Sequence, residues 1–240
     1  MTIAAALASL AFLAPPGWAP DTEAANAFAD GRAGEVSFAV RTEDRLWGRA
    51  PDTVVHGLSL VKAVLLVATL QTARDRPLTA TERRDLRPMI RESSNAAASR
   101  VVRRLGRDRI ERTARRAGMP RFRLADRWGL SATTAREQTR LFLRIDAAMP
   151  ASHRAYGMAL LQTVVPAQRW GVGQVVPRGW TASFKGGWTD GPGLSEHQVA
   201  QLTRGDERVA VAVMSTGQPG HAYARRGLRG LFARLLPTAR

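Results

Sequence analysis

The stretch Gly57-Leu58-Ser59-Leu60-Val61-Lys62-Ala63-Val64-Leu65-Leu66 constrains this chain more than any other. It reads as the start of a helix that is apolar on every face, and such a helix belongs in a protein interior. Lys62 is the single charged residue between His56 and Arg74. A buried ammonium is unfavourable unless it is paired or gives up its proton. Ser59 stands one turn earlier, and residues at i and i+3 share a helix face. A hydroxyl beside an amine supplies the minimal parts of an activated nucleophile.

The lysine count sharpens this reading. Of 36 Lys and Arg residues, only Lys62 and Lys185 are lysines. Arginine keeps its proton in a protein, whereas a desolvated lysine can lose it. A chain this biased toward Arg should retain Lys where the chemistry demands an amine.

The 240 residues, 45% hydrophobic and 23% charged, suffice for one domain with a sizeable core. There is no Cys, which excludes disulfides, thiolate metal sites and a lipidated cysteine. The formal charge of +16 invites a nucleic-acid reading. The arginines, however, are spread along the chain among apolar residues at helical spacing, as on solvated helix faces. They are densest over Arg100–Arg123 and Arg225–Arg240. No zinc-finger spacing, RNA-binding aromatic signature or helix-turn-helix accompanies them. Nucleic acid is therefore not an expected partner, and anionic cell-wall polymers suit the charge at least as well.

Residues 1–19 are expected to form a signal peptide, which places the protein outside the cytoplasm. Thr2–Leu13 is apolar, too short to span a bilayer but long enough for a signal core, and Gly17-Trp18-Ala19 supplies small residues for cleavage. A basic segment ahead of it is missing. No other membrane segment is expected.

Further along, Gly34–Arg41 and Asp44–Gly48 read as a β-hairpin. After the Ser59 helix, which fades near Arg74, helices are expected over Thr81–Glu92, Ala96–Leu105, Asp108–Ala117, Thr134 to about Ala148, and Ser152–Val164. Pro88 should kink the first of these or move its start. Thr134-Ala135-Arg136-Glu137 has the pattern of a capping box. Trp180–Lys185, Glu196–Thr203 and Arg208–Ser215 read as strands, and His221–Leu236 as a closing amphipathic helix. The order predicts an α+β fold. Its antiparallel sheet, flanked by helices, receives an inserted helical lobe. The single domain, residues 20–240, divides into an α/β lobe (about 25–58 and 176–240) and an all-helical lobe (about 59–175).

Three stations stand out along this order: Ser59-Leu60-Val61-Lys62, Ser93-Ser94-Asn95 and Lys185-Gly186-Gly187. In order and context they resemble the S-x-x-K, S-x-N and K-[ST]-G stations of class A β-lactamases and penicillin-binding proteins. The resemblance runs from about Gly34 to the C-terminus. It implies a five-stranded sheet and an acyl-transfer site between sheet and helical lobe. Ser59 would be the nucleophile, Lys62 its base and Ser93 the proton relay. Asn95, Lys185 and Gly187 would bind substrate, and the N–H groups of Ser59 and Trp188 would form an oxyanion hole. No metal or cofactor is implied. The expected partner is a small-molecule or peptide substrate, and the chain is expected to act as a monomer.

The chain also departs from that pattern. Gly186 replaces the hydroxyl residue of the third station, and Ser94 stands where class A enzymes usually carry Asp. The span from Lys62 to Ser93 is short. The omega-loop glutamate expected after Arg127-Trp128 is absent, since Gly129-Leu130-Ser131-Ala132 runs on toward the next helix. Glu137 reads as a cap partner and Asp126 as structural. The expected activity is that of a serine hydrolase or acyltransferase working through acyl-Ser59, with rapid penicillin hydrolysis disfavoured. The alternative is a non-catalytic relative that binds a cell-wall or carboxylate ligand.

Overall fold

A computed structural model of the chain describes residues 18–236. The expected signal peptide lies almost wholly outside the described residues. A short helix, α1 (Thr22–Asp30), opens the described chain. Asp21 caps it by accepting from Ala24 N at 2.9 Å. The hairpin follows as β1 (Glu35–Arg41) and β2 (Leu46–Arg49), then a two-residue strand, β3 (Val55–His56).

The apolar stretch forms a 3₁₀ turn, Leu58–Leu60, that runs directly into α2 (Val61–Thr72). Residues 61 to 70 of α2 are buried without exception. Helices α3 (Ala80–Arg91), α4 (Asn95–Leu105) and α5 (Arg107–Arg116) pack against it, and after the short strand β4 (Ala132–Thr133) helix α6 (Ala135–Leu143) packs on the sheet. A turn, α7 (Ile145–Ala148), and α8 (Ala151–Gln162) complete the helical block. The chain then returns to the sheet through β5 (Thr181–Trp188), β6 (Leu194–Arg204) and β7 (Glu207–Gln218), and closes with α9 (His221–Leu235).

The five-stranded sheet has the order β2-β1-β7-β6-β5, antiparallel throughout. This is the architecture the sequence predicts. Alternate residues of a strand face opposite sides of a sheet, and β1 shows the division. Ala39 joins the core shared with the helical block. Phe38 and Val40 join the core covered by α1 and α9. Because β5 is an edge strand, its free side is open to the helical block, where α8 and the Ser59 turn pack against it.

Several boundaries differ from the sequence reading. Thr79, not Thr81, starts α3, through a complete capping box with Glu82. Pro88 lies within α3 without ending it. The helix expected from Thr134 to Ala148 breaks at Arg144 into α6 and α7. The Asp146 carboxylate there accepts from Gln201 at 3.1 Å and from Arg208 at 2.6–2.7 Å, so contacts to the sheet prevail over helix continuation. Glu137 is no reciprocal cap partner: its N–H meets Thr134 Oγ1, but its carboxylate accepts from Arg121 N at 2.8 Å. Among the described residues no helix is long and apolar enough to cross a membrane.

Candidate active site

The Ser59 turn is pinned before α2 begins. Gly57 N donates to Ser131 O at 2.7 Å, tying the turn to the segment leading into β4. Leu58 holds a left-handed φ of 49°, which is strained for a leucine. Residues held in this way cluster at functional sites. The turn leaves Ser59 half-buried beside the fully buried Lys62.

Lys62 Nζ reaches four oxygens. It lies 2.7 Å from Ser59 Oγ, 2.6 Å from Ser93 O, 3.0 Å from Ser93 Oγ and 2.7 Å from Asn95 Oδ1. Two of these, Ser93 O and Asn95 Oδ1, can only accept. A neutral amine has two N–H groups and one lone pair. With its two N–H groups on those two acceptors, the lone pair is left for a hydroxyl to donate into. Burial, and secondarily the Lys185 ammonium, lower the Lys62 pKa from 10.5 to about 6. The Trp128 ring covers Lys62 with its centroid 5.0 Å from Nζ, and is itself held by Nε1 donating to Ser99 Oγ at 3.1 Å.

Ser93 sits in the loop between α3 and α4 with φ 58°. Both Glu92 N and Ser94 N donate to Pro88 O, at 3.1 and 3.0 Å, and this winds the loop back on the end of α3. Ser94 is the residue that caps α4, accepting from Ala97 N at 3.3 Å. Asn95 is thereby the first residue of α4, exposed to the cleft and bonded to Lys62. The Ser93 hydroxyl lies 3.0 Å from both Lys62 Nζ and Lys185 Nζ. Lys185 can donate to it, which leaves its own proton for the Lys62 lone pair or for an acceptor in the cleft.

Lys185 comes from β5, is 1% exposed, and also donates to Gly186 O at 2.7 Å. Its burial lowers the pKa to about 7. Among the described residues no carboxylate bonds to either amine, so the two amines share one pocket without a counter-charge. Gly187 permits the close approach of β5 to the Ser59 turn. A Cβ there would stand 2.9 Å from Ser59 N and 3.3 Å from Leu60 N. Thr189 N donates to Ser195 O within the β5–β6 ladder. N–H direction alternates along an antiparallel strand, so Trp188 N–H faces the open edge, on the same side as Ser59.

The structure thus brings Ser59, Lys62, Ser93, Asn95 and Lys185 within hydrogen-bond reach, with Gly187 and Trp188 alongside. His56 lies apart, exposed on β3. Among the described residues no group of three or more His, Cys, Asp or Glu side chains could hold a metal ion.

Two features of the site were not readable beforehand. The first is Trp170, 6% exposed, whose ring occupies the space a side chain at Gly186 would need: a Cβ there would meet Trp170 Cη2 at 2.8 Å. Trp170 also packs edge-on against Trp188, with centroids 6.2 Å apart. The glycine that replaces the hydroxyl residue is thus matched to an indole from a distant loop. The second is Glu196, fully buried and paired with Trp188 across the ladder. It binds His221 Nδ1 at 2.5 Å and Arg225 Nε at 3.0 Å, bracing the end of β5. Burial raises its pKa against the pull of these partners. Isolated residues of common type gave no sequence signal for either arrangement.

The comparisons with known proteins agree with this fold. The crystal structure of a β-lactamase from Sphaerobacter thermophilus DSM 20745 superposes with a TM-score of 0.76 at 17% identity, covering 90% of this chain and 95% of that one. A β-lactamase from Desulfarculus baarsii DSM 2075 gives 0.73 at 21% identity, covering 89% and 96%. A class A β-lactamase from Mycobacterium abscessus gives 0.75 at 14% identity, covering 89% and 96%. No curated protein sequence matches the chain. A sequence model described as the β-lactamase enzyme family matches residues 83–236, from α3 to the end of α9. That span holds the second and third stations, while Ser59 and Lys62 precede it and join them only in space. On this match the chain belongs to the β-lactamase enzyme family, with the fold of its serine-hydrolase superfamily.

Proposed function

We propose that the protein is a serine hydrolase or acyltransferase that acts through an acyl-Ser59 intermediate on an amide or ester of the β-lactam or cell-wall-peptide type. The observation that carries this reading is the 2.7 Å contact between Ser59 Oγ and Lys62 Nζ, an amine whose pKa of about 6 leaves it neutral at physiological pH. In this reading Lys62 removes the Ser59 proton as Oγ adds to the substrate carbonyl. Developing negative charge on the carbonyl oxygen meets the N–H groups of Ser59 and Trp188. Loss of such a donor typically slows acyl transfer by ~10²–10³. Ser93 gives its proton to the leaving group and regains one from the lysine pair. Asn95 bonds the acyl side chain, and Lys185 in its charged form meets a substrate carboxylate.

Removal of the acyl group is the weaker half of the cycle. Gly129 stands where the resemblance leads one to expect the glutamate that activates water. The two nearby acids are engaged elsewhere, Glu137 with Arg121 N at 2.8 Å and Asp126 with Arg107 at 2.7 Å. This supports slow hydrolysis, or transfer to an acceptor amine, over rapid turnover of penicillins. Such substrates imply action at the cell envelope.

Intact-mass spectrometry after exposure to a β-lactam or a fluorophosphonate tests the proposal. We expect a single adduct on Ser59 that decays slowly, and none for Ser59→Ala. A folded wild-type protein that gains no adduct between pH 6 and 9 would exclude an acylating role. Saturable binding that survives Ser59→Ala would instead indicate a non-catalytic binding protein.

A further inference from the structure

The segment from Pro166 to Gln174 and the first turns of α9 enclose a cleft of about 430 Å³ on the far side of Trp170 from the acylation site. Arg169, Trp170 and Gln174 line one wall, and Arg225, Arg226 and Arg229 line the other. No carboxylate lines it. Four guanidinium groups around one concavity repel each other, and Arg225 and Arg229 are an i,i+4 like-charge pair that destabilises an isolated helix. Arg226 and Arg229 are exposed and form no ion pair among the described residues. A bound anion would relieve this repulsion.

The cleft is built rather than merely charged. Arg225 is held from below: its Nε donates to the fully buried Glu196, and its guanidinium lies 5.3 Å from the Trp170 ring centroid. That leaves its terminal nitrogens free of the ion pair. Arg169 is anchored by Nη1 donating to Gln162 O at 3.0 Å and by its position over Phe184. Trp170, 6% exposed, forms the floor between the two rows of arginines.

We propose that this cleft binds a phosphate-bearing anion, a phosphomonoester or a phosphodiester. Several separate guanidinium forks favour a tetrahedral anion with oxygens to spare, whereas a planar carboxylate is filled by a single fork. The proposal is independent of the acylation chemistry, and the cleft shares only the Trp170 wall with that site.

Isothermal titration calorimetry on the full chain tests it, with inorganic phosphate, glycerol phosphate, poly(glycerol phosphate) and citrate as probes. The key variant is Arg226→Gln/Arg229→Gln. The control is Arg112→Gln/Arg116→Gln, which removes the same charge from exposed positions on α5. We expect saturable binding of the phosphate probes. The cleft variant should bind them about tenfold more weakly or worse, because charged hydrogen bonds to the anion are lost. The control should stay within about twofold of wild type on the same scale. Binding of inorganic phosphate alone assigns the site to a single group, and binding of the polymer alone assigns it to a chain of them. Equal losses in both variants, citrate binding as tightly as phosphate, or no saturable binding to any phosphate probe would overturn the proposal.

Discussion

Lys62 and Lys185 meet only oxygens that are neutral, within one pocket and with no counter-charge. Their combined titration should shape the reaction. The base form of Lys62 appears above pH about 6 and the charged form of Lys185 fades above about 7. Acylation by an anionic substrate should therefore follow a narrow bell centred between those values, measured as adduct formation against pH. For a substrate without a carboxylate the alkaline limb should disappear. Lys62→Arg should lower acylation by ~10²–10⁴, because arginine keeps the charge but cannot accept the proton. Gly186 and Trp170 make a second residue-level pair. Gly186→Thr should destabilise by about 1–3 kcal/mol through overpacking. In a Trp170→Ala background the same substitution should cost less, giving a non-additive double-mutant cycle in urea. The importance of the lysines was legible because Arg is used nearly everywhere else. The glycine–tryptophan match was not, because it joins positions 16 residues apart, one in a loop and the other in a strand, and neither has a periodic pattern.

Among the elements, α3 and α4 carry the loop that presents Ser93 and Asn95. They are clasped by Asp85, fully buried, which binds Arg100 at 2.8 Å and Arg104 at 3.0 Å. Asp85→Ala should cost ~1.5–3 kcal/mol by removing charge-assisted hydrogen bonds to two partly exposed guanidinium groups, and should also slow acylation through a loosened loop. A chemical-melt midpoint and an adduct time course read the two effects separately. The 3₁₀ turn Trp128–Leu130 offers a gain-of-function test. A Cβ on Gly129 would meet nothing closer than Leu58 Cα at 4.0 Å, and Gly129 is not in the left-handed region, so Gly129→Glu is sterically open. The new carboxylate should shorten the lifetime of the acyl adduct, by up to the ~10²–10⁴-fold typical of general-base catalysis. Element type was well specified by periodicity and caps, and boundaries less so. β5 continues to Trp188 because Gly186 and Gly187 pair with Gln198 and His197, although glycines usually signal a turn. The α6–α7 break depends on an ion pair to Arg208, 62 residues beyond Asp146, which no local rule contains.

At the scale of the molecule the sheet separates two cores, and both lysines sit within the protein, Lys62 at 0% and Lys185 at 1% exposure. In the unfolded chain they bind protons up to about pH 10.5, while in the folded chain they release them near 6 and 7. Between pH 6 and 10.5 the unfolded state therefore binds more protons, and stability should rise with pH across that window. His197, lowered to about 4 by burial, extends the same trend to more acid pH. The urea midpoint should be higher at pH 9 than at pH 6.5, by an amount worth about 1 kcal/mol or more. Lys62→Met should flatten the slope, and a midpoint that falls with pH would contradict the assignment. The fold class was legible because strand and helix blocks alternate in a distinctive order, whereas α1 was not, its alanine-rich sequence lacking an apolar stripe. The burial of both lysines has a further consequence. The surface is covered with guanidinium groups, which do not react with acylating, carbamylating or aldehyde reagents as amines do. Both lysine ε-amines of the chain lie in one pocket, where burial lowers their pKa values to about 6 and about 7 and so makes them nucleophilic near neutral pH. A lysine-directed reagent small enough to enter should therefore act as a titrant of that pocket, with no lysine background from the rest of the molecule.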